Sequence, residues 1–261
     1  MPKSTYYYHV HSWKQPDPDR KWKRRIRFIY RMHKGRLGYR RITDILQVKG
    51  YWINKKKVLR IMNELGLHCI VRKKKYKSYT GEVGKKAPNI LNRCFQAEKP
   101  NQKWVTDITE FKLFGQKFYL SPILDLFNRE IITYTLHTRP TFDLVETMLK
   151  KGLQHVNKTD ELLLHSDQGW HYRMPQYKRI LKEHHITQSM SRKGNCYDNA
   201  VIENFFGIMK SEFLSLQQFE NIDHFKKELE GYIHYYNHLR IKSRLGRQSP
   251  VSYRTSFEQS A

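Results

Sequence analysis

Between Lys103 and Phe213 the order of apolar segments leaves few folds open. Residues 103–111 (KWVTDITEF), 117–125 (KFYLSPILD) and 130–137 (EIITYTLH) are strand-length runs rich in β-branched and aromatic residues. The gaps between them are short enough for antiparallel hairpins. A helical pattern follows at 142–155, then a strand at 161–166 (ELLLHS), a helix at about 175–184 and a short strand at about 186–190. Two longer helical segments, 198–213 and 222–240, close the chain.

Three antiparallel strands followed by alternating helix and strand predict an α/β fold, a ribonuclease H-like mixed sheet with flanking helices. Three acids stand out on this map. Asp107 lies within the first strand, Asp167 follows the fourth, and Glu203 lies in the helix that starts at Asp198, with 59 and 35 residues between successive members. The first and fourth strands are neighbours in such a sheet, so the two Asp carboxylates converge, and the following helix brings the Glu to the same point. One acid at a strand end is usually a solvated side chain; three at convergent positions are not. Clustered carboxylates suit Mg²⁺, which prefers hard oxygen ligands. Two such ions about 4 Å apart activate an attacking oxygen and stabilise the leaving one in phosphoryl transfer. Lys210 is two helical turns beyond Glu203, on its face, placed to hold a DNA phosphate. Phe205, Phe206, Ile208, Met209 and Phe213 read as core. Residues 191–197, which include Arg192 and Lys193, read as a basic loop that DNA orders.

Charge separates this region from the first third of the chain. Residues 1–86 hold 25 Lys and Arg against 5 Asp and Glu, whereas residues 87–261 hold 24 against 19. An excess that large points to a nucleic-acid partner. Three short helices are expected, at 20–33, at 39–48 and from an Asn54 cap, the last with Val58, Leu59, Met62 and Leu65 on its apolar face. The pair joined by a tight turn suits a helix-turn-helix, preceding the sheet as an all-α domain. Its last helix begins Asn54-Lys55-Lys56-Lys57, and Arg72, Lys73, Lys74 and Lys75 follow as a backbone-tracking run. The Gly- and Pro-containing stretch 79–88 reads as the break. The expected boundaries are a helix-turn-helix region over 1–80, a linker over 81–100, a catalytic core over 101–220 and a helical extension over 221–261. Cys69, Cys94 and Cys196 form no C-x-x-C pair, which argues against disulfides and a zinc knuckle. No apolar run of about 18 residues occurs, so a cytosolic protein is expected.

Four segments then carry a specific resemblance: WVTDITEF (104–111), HSDQGWHY (165–172), SMSRKGNCYDNAVIENFFGIMKSE (189–212) and YYNHLRIKSRLGRQSPVSYR (235–254). In order and spacing they resemble the transposases of bacterial insertion sequences, encoded by a second reading frame and carrying a retroviral-integrase-like DDE core. STYYYH (4–9), LGYRRI (37–42) and PNILNRCF (88–95) extend the match over nearly the whole chain. The resemblance implies Asp107, Asp167 and Glu203 as the catalytic, metal-holding triad and Lys210 as the basic residue after the Glu. It implies Mg²⁺ as cofactor, two ions, with Mn²⁺ as a candidate substitute. It further implies terminal inverted repeats and target DNA as substrates, a homo-oligomer on DNA, strand joining through a circular intermediate, and fusion with or binding to an upstream-frame protein. The zinc-binding module of retroviral integrases is absent, so zinc is not expected. The rival readings are a ribonuclease H-like metal-dependent endonuclease that only hydrolyses, a catalytically decayed DNA-binding regulator, and a basic RNA-binding protein.

Overall fold

Apolar side chains three and four residues apart build the N-terminal part of the chain. The computed structural model describes residue 3 and residues 16–69, 87–157 and 161–260, and the chain divides into two units, 1–71 and 72–261. In the first unit, α1 (Arg20–Met32) buries Ile26 and Ile29, and α2 (Tyr39–Val48) buries Ile42, Ile45 and Leu46. Helix α3 (Lys55–Glu64) buries Val58, Ile61 and Met62. The Asn54 side chain caps α3 by accepting a hydrogen bond from the Lys56 amide at 2.8 Å. The buried face of α3 differs from the expected one: Leu59 is exposed and Ile61 takes its place. Positions three and four beyond Val58 share its face, and Leu59 does not.

Part of the basic excess is used internally. The Asp19 carboxylate, buried at the start of α1, pairs with Lys57 at 2.7 Å and with Arg60. Lys23 bridges Asp17 (2.8 Å) and Glu64 (3.1 Å). These contacts tie α1 to α3 and hold all three acids below their ordinary pKa, Asp19 chiefly through its bond to Lys57.

The second unit is a six-stranded mixed sheet with helices on both faces. Strands β1 (Lys103–Thr106) and β2 (Thr109–Leu113) lie in line against β3 (Gln116–Asp125), and β4 (Ile131–His137) pairs with the other edge of β3. Strands β5 (Leu163–Ser166) and β6 (Thr187–Met190) continue the sheet beyond β1, both parallel to it. Adjacent residues of β1 point to opposite faces. Trp104 joins a core with α4 (Phe142–Leu153), α6 (Pro175–Glu183) and Tyr172 of the short α5 (Trp170–Arg173). Val105 joins a core with α7 (Ala200–Met209) and α8 (Ile222–His234). The predicted ribonuclease H-like order of strands and helices is the one observed.

Two expected boundaries do not divide the structure. Residues 87–95 of the expected linker are built into the second unit. Leu91 is buried in its core, and the Ile90 and Leu91 amides each donate to Ser189 Oγ at 3.0 Å. The segment after residue 220 is no separate extension either: Phe225, Leu229, Tyr232 and Tyr236 share one core with Val105 and Phe205. The Arg254 guanidinium of α9 (Pro250–Glu258) binds the buried Asp125 at 2.6 Å and Glu130 at 2.9 Å. Strand apolar faces need a covering layer, and here the chain's last third supplies it. Among the described residues no helix is long and apolar enough to cross a membrane.

Candidate active site

The β1–β2 strand is interrupted at Asp107-Ile108, with the register against β3 unchanged on either side. Opposite the gap stand Ser121 and Pro122, and proline has no N–H to donate. The Ile108 amide turns to the Asp107 carboxylate, donating to Oδ1 at 2.7 Å. The interruption therefore presents a carboxylate where the ladder would have continued.

Strands β1 and β5 are parallel neighbours paired Lys103 to Leu163, Trp104 to Leu164 and Val105 to His165. Continued by two residues, that register sets Asp107 level with Asp167, one strand spacing apart, about 4.8 Å. Both line one cleft of about 220 Å³, together with Ile108, Pro140, Trp170 and Tyr172. Asp167 Oδ1 accepts from the Gly169 amide at 2.8 Å. A Cβ on Gly169 would lie 2.9 Å from that same oxygen, so glycine is needed for the carboxylate to sit where it does. Each Asp thus commits one oxygen to an amide at the cleft's wall.

The two carboxyls are charge-frustrated. Burial pushes Asp107 well above the ordinary carboxylate range, the Asp167 charge adds to it, and the Ile108 hydrogen bond opposes it. Glu203 raises it further, while Lys210 works the other way. Asp167 is raised by burial against the opposing Gly169 amide, His171 and Arg173.

Glu203 lies in the first turn of α7, exposed, and is not among the cleft's lining residues. Among the described residues no three His, Cys, Asp or Glu side chains form a ready metal-binding group. Its charge nevertheless reaches Asp107, and the start of its helix is tied to β1 by Asn199, one turn before it, whose side-chain amide donates to the Thr106 carbonyl at 3.2 Å, next to Asp107. The start of α7 is pinned again by the fully buried Asp198. Its carboxylate accepts from the Arg192 backbone amide (3.0 Å), Arg192 Nε and Nη2 (2.8 Å each), Arg93 Nε (2.8 Å) and Asn89 (3.0 Å). Those bonds, Arg192 first, hold Asp198 far below the usual carboxylate range.

Arg192, expected to contact DNA, instead spends its guanidinium on Asp198 and positions the Glu203 helix. Lys57 is likewise taken by Asp19. Lys55, Lys56 and Lys193 are exposed, Lys210 is half-buried where the helix widens into a π turn, and Ile208 is half-buried rather than core. Arg72, Lys73, Lys74 and Lys75 lie outside the described residues. Asp198, Asn199 and the cleft walls Trp170 and Tyr172 escaped sequence reasoning. The Asp-Asn pair directly before the helix was the available signal, and it reads as an ordinary helix start.

Residues 97–196 match the integrase core domain family, and residues 203–257 match a second family of the same description. Residues 17–75 match the HTH-like domain family. The InsK transposase of insertion sequence element IS150 from Escherichia coli is 51% identical over 254 residues, 97% of this chain and 90% of that protein. The chain belongs to the insertion-sequence transposases. A transposase-like protein of Haemophilus influenzae is also 51% identical, over 78% of this transposase and 94% of its own length. A chain of the simian T-cell lymphotropic virus intasome, solved by cryo-electron microscopy with the PP2A regulatory subunit B56 gamma, shares the fold. It superposes at a TM-score of 0.54 with 17% identity, over 80% of the transposase and 69% of that chain.

The exposed pair Lys55 and Lys56, with Lys57, gives a direct expectation for the helix-turn-helix unit. Replacing all three by Ala flattens the salt dependence of DNA binding by about two phosphate contacts, since Lys57 is already paired, a slope change of about 1.8. Fluorescence anisotropy over a salt series measures it, and an unchanged slope moves the contact elsewhere.

Proposed function

We propose that this transposase cuts and joins the ends of its element by metal-dependent phosphoryl transfer, with Asp107, Asp167 and Glu203 as its catalytic triad. The carrying observation is the β1–β5 register, which sets two half-buried carboxylates level at adjacent strand ends in one cleft. The donor set fits the cofactor: hard oxygens with raised proton affinity and too little positive charge nearby to offset them. Asp107 and Asp167 would hold two Mg²⁺ ions, with Mn²⁺ as a substitute, and Glu203 would complete the shell from α7. Bound divalent ions supply activation of the attacking oxygen and charge neutralisation on the leaving one.

The chain's own groups do the rest. The Ile108 and Gly169 amides fix the two Asp carboxylates, and Asn199 and Asp198 fix the helix that carries Glu203. Lys210, whose charge reaches Asp107, holds a phosphate beside the acids. Ile108, Pro140 and Tyr172 wall the cleft and exclude water from one side. Phosphodiesters at the terminal inverted repeats enter first, and the freed 3′-hydroxyl then attacks a second strand. Lys55 and Lys56 grip DNA from the helix-turn-helix unit, with Lys193 on the loop before α7. The active species on DNA is a homo-oligomer, with the upstream-frame protein as fusion or partner.

Labelled duplex ends carrying the terminal repeats, incubated with the full chain and Mg²⁺, are expected to yield joined strands. Cleaved ends without joined product would instead favour the hydrolytic endonuclease, and bound but unchanged DNA the decayed regulator.

A further inference from the structure

The cleft of Asp107 and Asp167 carries one large aromatic side chain that packs into neither hydrophobic core. Trp170 opens the short helix α5, three residues after Asp167, and is 48% exposed. Tyr172, two residues on, lines the same cleft and is 1% exposed. A single exposed apolar side chain elsewhere on a protein surface needs no explanation. One held in a fixed pose beside two half-buried carboxylates does.

The pose is fixed from behind. The Trp170 ring stacks on the His171 imidazole, with centroids 3.8 Å and planes 27° apart. His171 is buried, and its Nε2 donates to the Pro140 carbonyl at 2.8 Å, which ties α5 to the segment before α4. Tyr172 meets Tyr177 of α6 edge-on at 5.5 Å. The chain before Trp170 is equally constrained, since the Gly169 amide donates to Asp167 Oδ1 at 2.8 Å and a Cβ on Gly169 would crowd that oxygen. The indole therefore stands at a set place beside the Asp167 carboxylate, one ring face against His171 and half of its surface still reached by solvent.

The rest of the cleft selects what can cover that surface. Asp107, Asp167 and Glu110 make it acidic, and Pro140 and Tyr119 add ring surface. A neutral flat ring suits such walls better than an anion does. Nucleic acid undergoing phosphoryl transfer at the two Asp carboxylates carries such a ring on each nucleotide, next to the reacting phosphate. In a paired duplex the face of that base is covered by its neighbours, so an indole can meet it only after the base has left the helix. Every base has a π-face, so such a stack is indifferent to sequence. A ring already immobilised by His171 loses little freedom when the base arrives.

We propose that Trp170 is a stacking platform for a nucleobase unpaired from the element end, next to the phosphodiester that is cut or joined. It rests on the assignment of Asp107 and Asp167 as catalytic carboxylates, and adds a device that holds the duplex end open beside them.

The test compares the full wild-type chain with Trp170→Ala and Trp170→Phe in Mg²⁺-dependent joining of labelled ends. On fully paired ends Trp170→Ala is expected to join about 5- to 150-fold more slowly, the range of one lost aromatic–base stack, while anisotropy shows the duplex bound as before. Trp170→Phe keeps a smaller ring and is expected to fall between the two. On ends whose terminal pairs are mismatched, the base is free beforehand and opening no longer limits the rate. Trp170→Ala is then expected to come within about threefold of wild type. Exchanging the terminal pair for another matched pair should leave the deficit as it was.

A further readout needs no turnover: 5-iodouracil near the strand end, irradiated in the complex, is expected to cross-link to Trp170, located by mass spectrometry. Wild-type joining of paired ends by a folded Trp170→Ala chain overturns the proposal. Equal deficits on paired and mismatched ends, with an altered oligomeric state by light scattering, would assign the indole to a protein contact and overturn it too. Joining by the wild type without a cross-link at Trp170 overturns this platform alone. A cross-link at Trp170 in a wild-type chain that joins no ends overturns the catalytic reading and leaves the platform standing.

Discussion

Asp167→Asn is expected to abolish end joining, by roughly a thousandfold or more, while terminal-repeat DNA binds as before. In the proposed mechanism several kcal/mol of transition-state charge stabilisation would depend on the ion that this carboxylate would help hold, and each 1.36 kcal/mol is about tenfold in rate. The amide keeps the side chain's shape and its bond from Gly169, so the loss isolates the charge. A second effect runs the other way. Burial raises the Asp167 pKa above its unfolded value. A group raised in this way contributes fully below the unfolded pKa, about 4, and destabilises progressively as pH rises through the folded one. Near neutral pH the charged carboxylate therefore costs stability, and Asp167→Asn raises the Tm of the metal-free protein. Mg²⁺ at about a hundred times its Kd adds about 2.7 kcal/mol to the wild type, roughly 5–10 °C, and much less to the variant. Gel analysis of labelled ends, anisotropy and thermal melting with and without Mg²⁺ read all three. A variant that still joined ends would remove Asp167 from the triad.

Asp198→Ala is expected to lower Tm by about 5–10 °C and joining by about one to two orders of magnitude. The carboxylate is fully buried and satisfies five donors from Asn89, Arg93 and Arg192, so its removal strands several of them at once. Breaking a fully buried pair costs about 3–5 kcal/mol. The two arginines are half-exposed, which screens them and brings the figure nearer 2–3. The rate loss comes from geometry, because a misplacement of about 1 Å at a reacting centre costs about a hundredfold. Asp198 is held far below the usual carboxylate range, chiefly by Arg192, so its stabilisation is present above pH 4 and fades as pH falls toward its folded pKa. The variant should lack that acid-side component in melts between pH 5 and pH 2. Wild-type Tm and joining in a folded Asp198→Ala protein would show that Glu203 is positioned without it.

Much of the architecture was legible because local rules and tertiary packing agree. The β-branched runs at 103–111, 117–125 and 130–137 became strands, and Asn54 caps α3 by the hydrogen bond its type suggested. Of the expected site, Asp107 and Asp167 meet because strand ends are set by periodicity and parallel register. The cations fared differently. Arg192 and Lys57 look identical to DNA-binding residues in a string of letters, and only the buried Asp198 and Asp19 show that they are spoken for. The two helical segments expected at 198–213 and 222–240 likewise gave no sign of the π turns at Lys210–Leu214 and Tyr235–Leu239, since the wider hydrogen-bonding pattern has no distinctive residue signature.

By itself the sequence determined the strand order, the helix-turn-helix unit, the family and the strand and helix positions at which its scarce acids fall. These follow from periodicity, capping and spacing, which are local along the chain. Only the tertiary structure decided which charges are available. It showed Asp107 and Asp167 level across one strand spacing, the start of the Glu203 helix pinned by Asn199, and Arg192 paired with the buried Asp198. Coulombic partners are chosen by proximity in space, and residues 93 and 198, or 19 and 57, become neighbours only when the chain closes.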